Sequence, residues 1–263
     1  MKKKNRAIKK TSEKKVSKSR NLVIVFTILV LAIAGYTYFY NYGFQLPAYP
    51  LNSPNLIGHY TFDGNVLDSS LSHNNGEIIG LLDCNSAGII GQACKFSGDS
   101  SVALNNLNVN STNRAKTSVA FLMYWDGTDG VMPLGWGNSA TGERGFSNLY
   151  FSKGYFGISS YESGILGISS SNLKNKWVYV VAVFSNDIPS ASNSAIYLNG
   201  IKQNLVQQIG INSGSVEYAT VSNSLQIGSS ATGMYKFSGM IDDFRVFNIE
   251  LSQNDALELY KEL

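Results

Sequence analysis

The chain has 263 residues, 44% of them hydrophobic, and a formal net charge of +3. Residues 1–20 hold ten Lys/Arg and one Glu, a net of +9, so residues 21–263 carry 11 Lys/Arg against 17 Asp/Glu, a net of −6. A mildly acidic body argues against nucleic acid as a partner, and two histidines with two cysteines give zinc poor support.

Behind the basic tail of residues 1–20 comes "NLVIVFTILVLAIAGYTYFY", residues 21–40. From Leu22 to Tyr40 there is no charge. At about 1.5 Å per residue such a helix reaches roughly 28 Å, close to the hydrocarbon thickness of a bilayer. Tyr36, Tyr38 and Tyr40 crowd its far end, as in an aromatic belt. The positive-inside rule then places the N-terminus in the cytoplasm and the body outside the cell. The expected localisation is the cytoplasmic membrane, with a single-pass signal anchor. A cleaved signal peptide is the alternative, since Ala32-Ile33-Ala34 resembles a cleavage site. The long basic segment and the apolar run past Ala34 favour the uncleaved anchor. Both readings export the body.

Residues 41–55 hold three of the five prolines and read as an extended linker. Residues 56–263 form the expected domain. Its apolar runs are short, rich in β-branched and aromatic residues, and separated by Gly, Asn, Ser and Asp, which predicts strands. In "SVAFLMYW", Val119, Phe121, Met123 and Trp125 share one face. Asn199-Gly200 predicts a two-residue hairpin. Ser252, followed three residues later by Asp255, predicts a capped C-terminal helix with Ala256, Leu259 and Tyr260 along one side. Cys84 and Cys94 read as one local disulfide outside the cytoplasm, or else as two buried thiols.

"FSGMIDDFRVF", residues 237–247, reads as a strand with two adjacent carboxylates. Strict alternation puts Asp242 on the face of Met240, Phe244 and Val246, toward the core, and Asp243 on the surface beside Arg245. A lone buried carboxylate is costly unless something pairs with it.

The order "YTFDGNVLDSSLSHNNGEIIG", "GIIGQACKFSGDSSVAL", "SVAFLMYWDG", "WVYVVAVFS", "IYLNGIKQN", "LQIGSS" and "FSGMIDDFRVFNIELS" resembles the laminin-G-like, concanavalin A-like lectin/glucanase superfamily over about residues 56–262. The resemblance implies an all-β jelly-roll sandwich of two antiparallel sheets. Many such domains hold a structural Ca²⁺ where the N- and C-terminal strands approach. That implies a calcium site from Asp63, Asp68, Asn75 and Asp242, with loop carbonyls supplying further oxygens. Leu71 stands where the family usually has Gly after "DSS".

The same resemblance admits glycoside hydrolases, which work with two facing carboxylates. The Glu-x-Asp-x-x-Glu signature of laminarinases is absent, and Glu77, Glu143, Glu162 and Glu217 are scattered singly. The expectation is therefore not an enzyme. A sugar site needs an exposed aromatic platform with polar groups around it. Tyr124 to Tyr161 offers Trp125, Trp136, Tyr150, Tyr155 and Tyr161, with Asp126, Asp129, Asn138 and Asn148 nearby. Trp136, between two glycines, is the preferred platform, with Asn138, Tyr155 and Tyr161 completing the set. Trp177 is expected in the core. The function read from the chain is a membrane-anchored module that binds glycan or a protein partner. A structural envelope component is the alternative and a glycoside hydrolase the second alternative.

Overall fold

The structure is a computed structural model and describes residues 53–137, 147–160, 164–210 and 221–263. The tail and the 21–40 segment lie outside the described residues, as does nearly all of the linker. Among the described residues no helix is long and apolar enough to cross a membrane.

Among the described residues, sixteen strands and one helix follow in order. They begin with β1 (Leu56–Tyr60), β2 (Glu77–Ile79), β3 (Asp83–Ala87), β4 (Gln92–Ser97), β5 (Ser101–Leu104), β6 (Lys116–Trp125), β7 (Val131–Trp136) and β8 (Ser147–Ser152). They continue with β9 (Tyr155–Ser160), β10 (Ile165–Ser169), β11 (Trp177–Ser185), β12 (Ala195–Leu198), β13 (Ile201–Lys202), β14 (Val206–Ile209), β15 (Leu225–Ile227), β16 (Ser238–Phe247) and α1 (Gln253–Lys261).

The strands make two eight-stranded antiparallel sheets, a jelly-roll sandwich. Sheet A runs β13-β12-β11-β6-β16-β4-β3, with β1 also paired to β16. Sheet B runs β14-β10-β9-β8-β7-β15-β5-β2. Val119, Phe121, Met123 and Trp125 of β6 all enter the core between the sheets, as their alternation predicts. There Phe151 of sheet B stacks between Trp125 at 4.1 Å and Phe156 at 4.4 Å. A second apolar layer covers the outer face of sheet A. Ala120 and Leu122 of β6 and Val181 and Val183 of β11 pack there against Ala256 and Leu259 of α1.

Local signals set the details. Asn199 and Gly200 both have positive φ (50° and 75°) and join β12 to β13, the geometry of a primed hairpin turn. Ser252 and Asp255 form the reciprocal capping box of α1. Cys84 and Cys94 are disulfide-bonded and tie β3 to β4. Trp177 departs from expectation. It sits half-buried against the outer layer of sheet A, edge-on to Tyr124 at 5.8 Å, because it opens β11 on the outward side.

Candidate functional site

The acidic pair in β16 does not follow simple alternation. Asp242 pairs with Leu122 but Arg245 pairs with Ala120, so β16 spends one extra residue here. This is a β-bulge, and Asp243 takes a positive φ of 48° within it. The bulge resets the faces. Ile241, Phe244 and Val246 enter the inter-sheet core, while Phe247 joins the outer layer. Asp242 is buried, but on the outer side, under the β3–β4 turn, where its Oδ2 accepts the amides of Ile89 (2.8 Å) and Ile90 (2.9 Å). Its Oδ1 has no partner among the described residues. Burial pushes its pKa up to about 6, helped by the charges of Asp243 and Asp63 and opposed by the two amides.

Asp243, expected at the surface, is buried instead. Its Oδ1 lies 2.6 Å from His59 Nε2, and its Oδ2 lies 3.0 Å from Arg245, whose other arm reaches Glu262. Burial alone would raise this carboxyl; His59 and Arg245 outweigh it and hold it below the usual carboxylate range.

The four residues grouped for calcium are not gathered as one set. Asp68 caps its own turn: Oδ1 accepts the amides of His59 and Ser70, and Oδ2 accepts the Ser70 hydroxyl and the Asn74 amide. Asn75 Oδ1 accepts the Asp68 amide. Both side chains are thereby committed to protein donors. Asp63 and Asp242 do converge on the 88–92 turn, where Asp63 Oδ1 accepts the Gln92 amide at 2.7 Å. Among the described residues there is no cluster of three or more His, Cys, Asp or Glu placed to hold a metal ion.

The preferred platform also needs correction. Trp136 is 0% exposed and lies edge-on to Phe184 at 6.2 Å in the core, because the indole falls on the inward position of β7. It cannot stack on a sugar from solution. Trp125 is buried too, its Nε1 donating to Thr128 O. Asn138 and Tyr161 lie outside the described residues, as do Glu143, Glu162 and Glu217.

A different constellation emerges on the outer face of sheet B. Gln226 of β15, Gly135 of β7, Asn148 of β8 and Ser159 of β9 stand in one row across four neighbouring strands. Their chain neighbours Leu225, Ile227, Leu149 and Ile158 enter the core, so these four face outward. At about 4.8 Å per strand the row spans roughly 14 Å. The next row holds Tyr150, Gly157 and Gly167, and Tyr155 shares the same face two residues from Gly157. Tyr150 and Tyr155 are half-buried, and Tyr150 meets the Tyr235 ring edge-on at 5.5 Å.

Between the tyrosines two buried glycines bring β9 and β10 close together, and Gln208 Nε2 donates to Gly167 O at 3.2 Å. A Cβ on Gly157 would come within 2.6 Å of the Gly167 Cα, and one on Gly167 within 2.7 Å of the Gly157 Cα. Gly135 is bounded by the Ser229–Met234 loop: a Cβ there would meet Ala231 N and Asn148 Oδ1, both at 2.5 Å.

Asn148 and Ser159 are 2% and 1% exposed. Asn148 Oδ1, Ser159 Oγ and Gln226 Oε1 have no hydrogen-bond partner among the described residues. All three atoms are shielded from solvent, and the Ser230–Ala231 backbone lies against Gly135 beside Asn148. None of β7, β8, β9, β10 and β15 contains a charged residue. Tyr150, Tyr155 and Asn148 all belong to the Tyr124–Tyr161 stretch that the sequence singles out; Ser159 lies in the same stretch and Gln226 outside it. The only signal at Ser159 and Gln226 is a polar residue at an outward strand position.

Residues 96–256, more than half of the chain, match the profile of the concanavalin A-like lectin/glucanases superfamily. The chain belongs to this superfamily. No curated protein is similar enough in sequence to count as a relative. Among solved structures, domain 4 of AbnA, a GH43 extracellular arabinanase from Geobacillus stearothermophilus in complex with arabinotriose, superposes with a TM-score of 0.57 at 18% identity, covering 78% of this chain and 98% of that domain. The receptor-binding domain of botulinum neurotoxin mosaic serotype C/D superposes with a TM-score of 0.54 at 18% identity, covering 79% of this chain and 51% of that one. The botulinum serotype D ligand-binding domain in complex with N-acetylneuraminic acid gives 0.51 at 16% identity, covering 79% and 51%. The chain thus spans about half the length of the toxin domains, and at these identities the likeness is one of fold.

Proposed function

We propose that the domain is a non-catalytic binding module, displayed outside the cell, that takes a glycan on the outer face of sheet B. The observation that carries this reading is the pair of half-buried tyrosines, Tyr150 and Tyr155, on the outer face of sheet B in a chain of the concanavalin A-like superfamily. Sugars offer a flat face on which a tyrosine ring can stack. A domain of the same fold with arabinotriose bound supports the choice of ligand class. Glycoside hydrolysis needs a pair of carboxyl groups about 5–9.5 Å apart. The non-catalytic reading is the one taken from the sequence, where the Glu-x-Asp-x-x-Glu signature of laminarinases is absent. Display rests on the basic residues 1–20 followed by the uncharged run from Leu22 to Tyr40, read as a signal anchor.

Within the same reading, a structural Ca²⁺ is assigned to Asp63 and Asp242 alone, with Asp68 and Asn75 serving the turn. The buried, unpartnered Asp242 Oδ1 supports it, and hard oxygens of this kind suit the ion. Bound there, the ion would neutralise a buried carboxylate.

The test is a glycan array probed with the full chain and with Tyr155→Ala. Saturable binding that the substitution removes, with the fold intact, is the expected result. A blank array with a folded protein would contradict it. A protein-partner or assembly reading is favoured by one separate observation: β2 is an edge strand of sheet B, and Ile78, Ile79 and the following Leu81 are all exposed, Leu81 at 83%. Concentration-dependent self-association lost in Ile78→Lys would support that second reading.

A further inference from the structure

One short motif stands apart from the tyrosine face of sheet B. Asn110-Ser111-Thr112 has the Asn-x-Ser/Thr pattern of an N-glycosylation acceptor, without proline at its middle position, and the pattern occurs once in the chain. It lies in the loop between β5 and β6, and all three residues are exposed.

The asparagine forms an Asx turn. Its side-chain oxygen accepts the Thr112 amide at 3.0 Å and the Thr112 hydroxyl at 2.8 Å. A backbone N–H only donates, so the atom that meets it is the carboxamide oxygen, and Nδ2 is the arm left out of the turn. The backbone is held from behind. Asn186, 2% exposed, donates through Nδ2 to the carbonyls of Asn110 and Thr112, both at 2.9 Å, and its Oδ1 accepts the Val221 amide at 2.8 Å. The loop is thus fixed on a buried asparagine while the Asn110 side chain stands at the surface.

We propose that Asn110 is a glycosylation site that takes an oligosaccharide from a polyprenyl-pyrophosphate-linked donor outside the cytoplasm. In the transfer, a bond forms from Asn110 Nδ2 to the sugar C1 as the C1–O bond to pyrophosphate breaks. The pyrophosphate leaves with the electron pair, and one Nδ2 proton passes to a base of the transferase. The inference rests on the display reading above, since the body must be exported to meet the donor, and is independent of the glycan-binding reading. The loop is tied to the segment just ahead of β15, where Leu107 N donates to Asn223 O at 2.9 Å. Leu225 of β15, Trp136, Ser147 and Ser160 mark that end of sheet B. Tyr155 opens β9 five residues before Ser160, roughly 17 Å away at about 3.3 Å per residue, so an attached glycan leaves the tyrosines uncovered.

The experiment synthesises the full chain in the presence of microsomes that carry an oligosaccharyltransferase and its lipid-linked donor, and follows its mass before and after digestion with peptide N-glycosidase. Wild type is expected to gain one digestible glycan. Asn110→Gln and Thr112→Ala should each abolish it, and Thr112→Ser should retain it. Leu67→Thr is the control, since it completes a second Asn-x-Thr pattern at Asn65, and both positions are exposed. That variant should carry two glycans, and one when combined with Asn110→Gln. A glycan at Asn65 with none at Asn110 would overturn the site and leave display standing. No glycan at either position would overturn display, and the site with it.

Discussion

His59 Nε2 and Asp243 Oδ1, 184 positions apart in the chain, lie 2.6 Å from each other and join the first strand of the domain to the last. His59 and Arg245 are also cross-strand partners between β1 and β16. The Asp243 carboxylate thus stands between a histidine and a guanidinium, all three largely buried. Removing one member of a buried ionic group leaves the others uncompensated, at about 3–5 kcal/mol.

Asp243→Ala should therefore destabilise the domain by about 3–5 kcal/mol, read from denaturant unfolding. Two costs combine in that variant, the stranded Arg245 and the left-handed backbone that Asp and Asn tolerate better than Ala. Asp243→Asn keeps the backbone preference and should lose less. Equal stability of Ala and wild type would show that the ion group is idle.

Asp242 should respond to pH and metal in opposite senses. Its pKa in the folded chain, about 6, is above the unfolded value of 3.8. A carboxyl raised in this way stabilises the fold fully below the unfolded value, and that contribution is lost as pH rises through about 6. In chelator, the melting temperature is expected to fall between pH 4 and 7, and Asp242→Asn should remove the fall. In calcium at pH 7.5, wild type should melt above its chelated form and Asp242→Asn should not change. A wild-type melt unaffected by chelator would remove the metal.

Trp136→Ala should cost about 3–5 kcal/mol through the cavity it leaves between the sheets. Where the variant remains folded, glycan affinity is expected to be close to wild type, because the indole faces away from the proposed site. A large loss of affinity without loss of stability would restore Trp136 as a ligand contact.

Reducing the Cys84–Cys94 bond should lower stability by about 2–3 kcal/mol, as expected for so short a closed loop. The β3–β4 turn that it braces also carries the Ile89 and Ile90 amides that hold Asp242. Chelator should therefore produce a smaller shift in the Cys84→Ala/Cys94→Ala double variant than in wild type. Identical shifts would show that the turn holds its shape without the bond.

Much of the fold was legible because the signals are local. The inward face of β6, the Asn199-Gly200 turn and the Ser252 cap each depend on residues within one element. The burial of Asp242 was legible too, but not the side it faces, because the bulge that resets β16 is set by pairing with β6 and leaves no local mark. Trp136 misled for a related reason. Flanking glycines suggested ligand access, yet the inward or outward sense of a strand position is fixed by its register with its neighbours. The outer row of sheet B was the least legible feature. Gln226, Asn148 and Ser159 lie in three segments, and only the register of β15, β7, β8 and β9 aligns them.

The most direct measurement is a crystal structure of the chain with an oligosaccharide selected on the array. The expected result is a sugar ring stacked on Tyr150 or Tyr155 on the outer face of sheet B. A ligand bound on another surface would contradict the assignment.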